Sequence, residues 1–144
     1  MRTLLIGATL FAAMQMVMIA TLKADSLHYG ATLTGAAETP PNDSNGNGNV
    51  IASYDTDTKK LQWTIYYSDL TGPAVAAHFH GPAPVGKSAP IEVPLQPPLD
   101  SPMFGSATLT DAEAKDLADG MMYFNIHTAA HKSGEIRGQL EKPE

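Results

Sequence analysis

A length of 144 residues and an apolar content of 43% allow one domain with a single modest core. The formal charge of −6 disfavours nucleic-acid binding, because an acidic chain repels the phosphate backbone that normally supplies most of the affinity. The sequence contains no cysteine, which excludes a disulfide framework.

The chain begins with a segment that is typical of a secretory signal. Arg2 provides the positive charge, and residues 4–20 form the apolar run that follows it. Residues 22–24 are an imperfect cleavage site, so an uncleaved membrane anchor is the alternative. We expect a signal peptide over residues 1–24 and a mature domain over residues 25–144, located in the periplasm or secreted, without membrane attachment after cleavage. Cleavage leaves seven basic and fifteen acidic residues, a formal charge of −8.

The mature sequence has the pattern of an antiparallel all-β domain. Short alternating runs of apolar and polar residues are separated by Gly, Pro, Asn and Asp. The predicted strands cover residues 27–33, 50–54, 61–68, 74–80, 104–109, 123–127 and 135–140. The polar segment 42–49 could cradle an anion or calcium, but we interpret it as a mobile connection without chemistry. Because of Pro90 and Pro94, we expect segment 89–95 to lie at a sheet edge or to run beside the sheet without full pairing.

A single short helix interrupts the β pattern. Thr110 and Glu113 form a capping box, good helix formers follow, and Gly120 can end the helix. The prediction is a helix over residues 111–119. Its acidic first turn suits the helix dipole, so these carboxylates need no catalytic role.

The only tryptophan lies in the middle of an apolar strand face. Leu61, Trp63, Ile65 and Tyr67 share this face by the alternation of a β-strand. We interpret the face as core, with a carbohydrate-binding aromatic strip as the alternative.

Two histidine-bearing strands carry the most specific chemical signal. His78 and His80 share one strand face, and His127 shares a face with Asn125 on the second strand; His131 follows it. Neutral imidazole is a ligand for copper, zinc, nickel and iron. We therefore expect the four histidines to form a metal site, and we favour copper or zinc.

The last predicted strand provides polar neighbours for that site. Glu135 and Arg137 share a face, and pairing with the second histidine strand would place Arg137 near Asn125. We expect Asn125, Glu135 and Arg137 to form a second shell around the metal. The alternative is that the histidines hydrogen-bond with these residues as a polar belt that only stabilises the domain.

Three sequence blocks resemble the CHRD domain, a module repeated in the extracellular antagonist chordin and found alone in secreted microbial proteins. The blocks are Leu-Thr-Gly-Ala-Ala-Glu-Thr-Pro-Pro at 33–41, Ala-His-Phe-His-Gly-Pro-Ala at 77–83, and the stretch 120–140 with Tyr-Phe-Asn-Ile-His-Thr and Gly-Glu-Ile-Arg-Gly-Gln-Leu. The resemblance implies an immunoglobulin-like antiparallel β-sandwich or barrel, in agreement with the number of predicted strands. It implies no general reaction.

Enzymatic signatures are scarce, and we predict no catalytic residue. The sequence has no cysteine nucleophile, no Gly-x-Ser-x-Gly elbow and no phosphate-binding glycine loop. The His-x-His strand resembles, in pattern only, the copper site of copper-zinc superoxide dismutases, but it lacks a clear bridging histidine. A copper enzyme of that kind is thus an alternative to metal binding alone. A second alternative is an adhesion or assembly module that binds a protein partner, or itself, through an open sheet edge.

Overall fold

The computed structural model of the chain describes residues 25–143, so the predicted signal peptide lies outside the described residues. Eight strands and one helix follow one another along the chain. In chain order they are β1 (Ser26–Thr34), β2 (Asn47–Asp55), β3 (Lys60–Ser68), β4 (Ala74–His80), β5 (Ile91–Pro94), β6 (Met103–Thr108), α1 (Asp111–Ala118), β7 (Tyr123–Thr128) and β8 (Ile136–Gln139), with a short 3-10 turn at Gly35–Ala37. The predicted strands are all confirmed.

All strand pairs are antiparallel, in the order β5-β4-β7-β8-β1-β2-β3-β6. Strands β8 and β1 are joined only at the pair Thr34 and Arg137, with an isolated bridge from Gly30 to Glu141. The sheet therefore divides into two layers that form a nearly closed sandwich. We call β5-β4-β7-β8 the histidine layer and β1-β2-β3-β6 the N-terminal layer. This architecture confirms the predicted all-β fold with one short helix.

The core lies between the two layers. Trp63 of β3 contacts Phe79 of β4 with ring centroids 5.0 Å apart, and Phe79 in turn contacts Phe124 of β7 at 4.8 Å. Trp63 is only 8% exposed, and both phenylalanines are fully buried. Because Trp63 and Phe79 belong to different layers, their contact crosses the sandwich. The prediction that the tryptophan face is core is confirmed.

The helix begins as its capping box predicts. The amide of Glu113 donates to Oγ1 of Thr110 over 3.2 Å, and the amide of Thr110 donates to Oε2 of Glu113 over 2.7 Å. Leu117 anchors the helix in the core, and Gly120 follows it with a φ of +71°, a conformation that suits glycine. No helix among residues 25–143 has the length and apolar character needed to cross a membrane.

The polar segment 42–49 differs from the prediction. The side-chain amide of Asn42 donates to the carbonyl of Glu135 over 3.1 Å, and Ser44 donates to the Glu135 carboxylate over 2.7 Å. Residues 47–49 already belong to β2. The prediction of a mobile connection is therefore wrong, because side chains of this segment hold it against the end of the histidine layer.

The expected sheet edge is confirmed. Strand β5, which ends at Pro94, pairs only with β4 and lies at one end of the strand order. The other end of the order is β6. Proline at position 94 removes a backbone donor, which an edge strand tolerates and a central strand does not.

Candidate metal centre

Three histidines lie together on the outer side of the histidine layer. The β4–β7 register places His78 opposite Asn125 and His80 opposite Tyr123, while His127 lies one step diagonally from His78. Alternation along each strand directs these side chains away from the core. Two neighbouring strands thus bring together residues that are nearly fifty positions apart in the sequence.

The geometry of the three rings suits a metal ion. One ring nitrogen from each of His78, His80 and His127 lies within 4.8 Å of the other two. Nδ1 of His78 is 3.2 Å from Nε2 of His127. Nitrogens bound tetrahedrally to zinc at about 2.0 to 2.1 Å are about 3.3 Å from one another. The closest pair already has this separation.

Backbone carbonyls determine which nitrogens carry hydrogen. Nδ1 of His80 lies 3.0 Å from the oxygen of Ala89, and Nδ1 of His127 lies 3.0 Å from the oxygen of Lys132. A carbonyl oxygen only accepts, so each Nδ1 donates and each Nε2 presents a lone pair. Metal-binding histidines typically donate their second ring N–H in this way, which orients the ring and raises its basicity.

Asn125 lies between these two lone pairs. Its side-chain oxygen is 3.0 Å from Nε2 of His80 and 3.0 Å from Nε2 of His127. An amide oxygen and two imidazole lone pairs are all acceptors, so a cation among them would satisfy all three. If the Asn125 side-chain amide were flipped, its nitrogen could donate one hydrogen bond to each of these two lone pairs. The histidines would then form the purely structural polar belt.

The electrostatics favour the neutral form of His78 and His80. Burial lowers the pKa of His78 to about 4, with further contributions from the neighbouring His127 and His80. Burial also lowers the pKa of His80, although its hydrogen bonds to Ala89 and Asn125 oppose the shift. At neutral pH both rings are in the uncharged form that coordinates metals.

Tyr123 and Arg137 support the cluster from one side. The Tyr123 ring stacks on the His80 ring at 4.8 Å with an interplanar angle of 2°, and the Arg137 guanidinium lies 3.4 Å from the centre of the same tyrosine ring. Arg137 also donates to Thr39 and to the carbonyl of Lys87. It pairs opposite Asn125, as the sequence predicts. Arg137 therefore ties two covering segments to the outer face beside the histidines.

The sequence pattern of the CHRD domain matches residues 29–140, from β1 to just beyond β8. The chain belongs to the CHRD domain family. The match includes the three clustered histidines and confirms the resemblance seen in the sequence blocks. No curated protein and no solved structure shows significant similarity to this CHRD domain.

The CHRD domain also brings a carboxylate to the cluster that the sequence reasoning missed. Glu38 is 5% exposed, and its Oε1 lies 3.5 Å from the Asn125 amide nitrogen. Burial raises its pKa, while the amide of Thr39 and the charge of Arg137 oppose the rise. Glu38 lies two residues before the proline pair Pro40 and Pro41. Its position inside the first CHRD-like block was the available signal.

Glu135 occupies a neighbouring polar cluster rather than the histidine triad. Its fully buried carboxylate accepts hydrogen bonds from Ser44, from the amide and hydroxyl of Thr71, and from Thr128. Burial alone would raise its pKa, but these hydrogen bonds hold the pKa at about 2. This cluster fixes the chain segments at the end of β7, close to the triad along the strand.

His131 lies outside the triad of converging ring nitrogens. Its backbone amide donates to the carbonyl and to the hydroxyl of Thr128, which closes the turn after β7. Its electrostatic effect on the Glu38 carboxyl is small and partly opposes the rise in the pKa of that group that burial causes. The structure thus brings together three of the four predicted histidine ligands.

Proposed function

We propose that this CHRD domain binds one transition-metal ion, copper or zinc, through His78, His80 and His127. The observation that carries the proposal is the orientation of the rings. Two of them donate Nδ1–H to backbone carbonyls, which leaves Nε2 of each free to coordinate, and one nitrogen from each of the three rings lies within 4.8 Å of the other two. Three imidazole ligands suit copper and zinc better than the hard cations calcium and magnesium.

Neighbouring residues support this assignment. Asn125 offers an oxygen beside two of the ligand nitrogens, and the buried Glu38 carboxyl lies against the amide nitrogen of the same asparagine. Arg137 holds the loop that supplies the Ala89 carbonyl, so it acts on the site through the orientation of His80. We assign Glu135 a supporting role in ordering the turn that carries the Lys132 carbonyl. His131 contributes less than the triad.

The proposed role is binding rather than catalysis. Among residues 25–143 the triad is the only group of three metal-ligating side chains that converge. A dismutase of the copper-zinc type requires a second metal and a histidine that bridges the two. Metal capture or retention outside the cytoplasm is therefore the function we propose, with export directed by residues 1–24.

Calorimetric titration of the purified mature domain with Cu²⁺ and with Zn²⁺ tests this proposal. One equivalent should bind, and His78→Ala or His127→Ala should each weaken that event by at least about a hundredfold, since even indirect ligand support is worth about 10- to 100-fold. His131→Ala should cost less. Elemental analysis of protein exported by its own signal would identify the metal. Unchanged affinity in both strand variants would reduce the histidines to a structural belt, and independent losses of two binding events would mean two sites.

A further inference from the structure

The outer face of the N-terminal layer carries exposed apolar side chains. Phe104 on β6 is 71% exposed, Ile51 on β2 is 60% exposed and Tyr66 on β3 is 48% exposed. The histidine layer differs, because the segments around Thr39 and Ala89 cover its outer face.

The strand register makes these side chains one continuous patch. Ile51 pairs opposite Thr64, and Thr64 pairs opposite Phe104. Tyr66 follows Thr64 by two residues on the same face, so it is a diagonal neighbour of Phe104, within reach of an aromatic ring. Two aromatic rings and one aliphatic side chain therefore lie side by side across three strands.

A groove runs beside this patch. Its volume is about 670 Å³, and Phe104 forms one wall. Ile51 also lines it, and so do polar side chains of the outer face: His28, Ser53, Gln62, Thr64 and Ser106. Hydroxyl and amide groups of this kind both donate and accept hydrogen bonds. We call the patch and the groove together the platform.

Acidic side chains are absent from the platform, although the chain contains fifteen acidic residues. Within the described part of the chain, the outward positions of segments 49–53, 62–66 and 104–106 include no Asp, Glu, Lys or Arg. The nearest charges on these strands are Asp55 and Lys60, a cross-strand pair that follows the groove residues Ser53 and Gln62 by one outward position.

We propose that the platform binds an uncharged polysaccharide. Aromatic rings stack on the apolar faces of sugar rings, and hydroxyl and amide side chains hydrogen-bond with sugar hydroxyls without the desolvation of any charge. Nucleic acids and acidic glycans require cationic side chains, which the platform lacks. A wholly apolar partner would leave the groove's polar groups without partners. The platform lies on the opposite layer from the histidine triad and is independent of metal binding.

Affinity gel electrophoresis of the mature domain tests the proposal. The gels contain hydroxyethylcellulose, galactomannan or mixed-linkage β-glucan as neutral probes, and alginate as the anionic probe. At least one neutral probe should retard the protein, and alginate should not. Phe104→Ala and Tyr66→Ala should each weaken the retarding interaction roughly three- to tenfold, the range expected for loss of one aromatic contact.

Two exposed aliphatic residues on the histidine layer provide matched controls. Val75 on β4 is 58% exposed and Ile91 on β5 is 50% exposed, so Val75→Ala and Ile91→Ala remove surface of the same kind elsewhere. These variants should keep wild-type retardation. Absence of retardation by every neutral probe, or equal losses in the control variants, would overturn the proposal. Concentration-dependent dimerisation in size-exclusion chromatography that Phe104→Ala abolishes would identify a second copy as the occupant instead.

Discussion

Replacing His127 by alanine should remove most of the thermal stabilisation that metal provides. Nε2 of His127 lies 3.2 Å from Nδ1 of His78, close to the separation expected of two nitrogens that bind the same metal ion. Its ring is aligned by the Lys132 carbonyl, and alanine removes both the ligand and this alignment. The remaining two histidines on β4 cannot complete a three-ligand site.

The magnitude follows from linkage between binding and folding. At a metal concentration of 100 times the wild-type Kd, binding stabilises the folded protein by about 2.7 kcal/mol. For a domain of about 120 residues, 1 kcal/mol corresponds to about 4 °C in Tm, so the wild type should gain about 10 °C. If the variant binds about a hundredfold more weakly, the same concentration stabilises it by about 0.4 kcal/mol, or about 2 °C.

Differential scanning calorimetry of metal-free and metal-loaded protein measures both shifts. Each variant is compared with its own metal-free form, which separates the loss of binding from any change in intrinsic stability. His28→Ala is the matched control, because His28 is an exposed histidine on β1 that lies outside the triad. It should retain the full wild-type shift. A shift of about 10 °C in His127→Ala, or none in the wild type, would refute the assignment of the triad as a metal site.

Three further predictions concern acid sensitivity, the second polar cluster and export. The metal-free protein should lose stability as pH falls from about 6.5 to about 4, because His78 is protonated at a higher pH in the unfolded chain than in the folded one. The pKa difference corresponds to a stability loss of at most about 3 kcal/mol, and solvent screening of this partly exposed ring reduces the loss to about 1 to 2 kcal/mol. Urea denaturation at pH 7 and pH 5 should show a smaller difference for His78→Ala than for the wild type, and equal differences would contradict the argument. Glu135→Gln should cost about 1 to 3 kcal/mol at pH 7, because it weakens the acceptors of Ser44, Thr71 and Thr128. The stability that this carboxylate contributes is present above pH 4.5 and is lost as pH falls through about 2, so the unfolding free energy of the variant should fall less steeply over this range than that of the wild type. The same pH dependence in both proteins would show that the depressed pKa has no bearing on stability. Exported protein should begin near Asp25 on N-terminal sequencing, and recovery of the intact Met1 terminus from membranes would show that the first segment is an anchor.

The local features of this domain were readable from its sequence. Strand alternation alone places His78 and His80 on one face, and it separates Trp63 and its neighbours into the core. The capping box of Thr110 and Glu113 starts the helix where expected, since capping depends on residues three positions apart. Prolines likewise mark the edge strand β5, because a missing backbone donor is a local property.

Contacts between distant segments depended on the tertiary structure. The β4–β7 register brings His127 beside His78, and no local pattern specifies which strands pair or how far they are offset. The burial of Glu38 against Asn125, and the anchoring of Asn42 and Ser44, likewise join positions about ninety residues apart. A polar segment with the composition of a loop has the same sequence pattern whether its side chains face solvent or contact a buried partner. Only the packed sandwich determines which of them are desolvated, and desolvation is what selects their hydrogen-bond partners and shifts their pKa values.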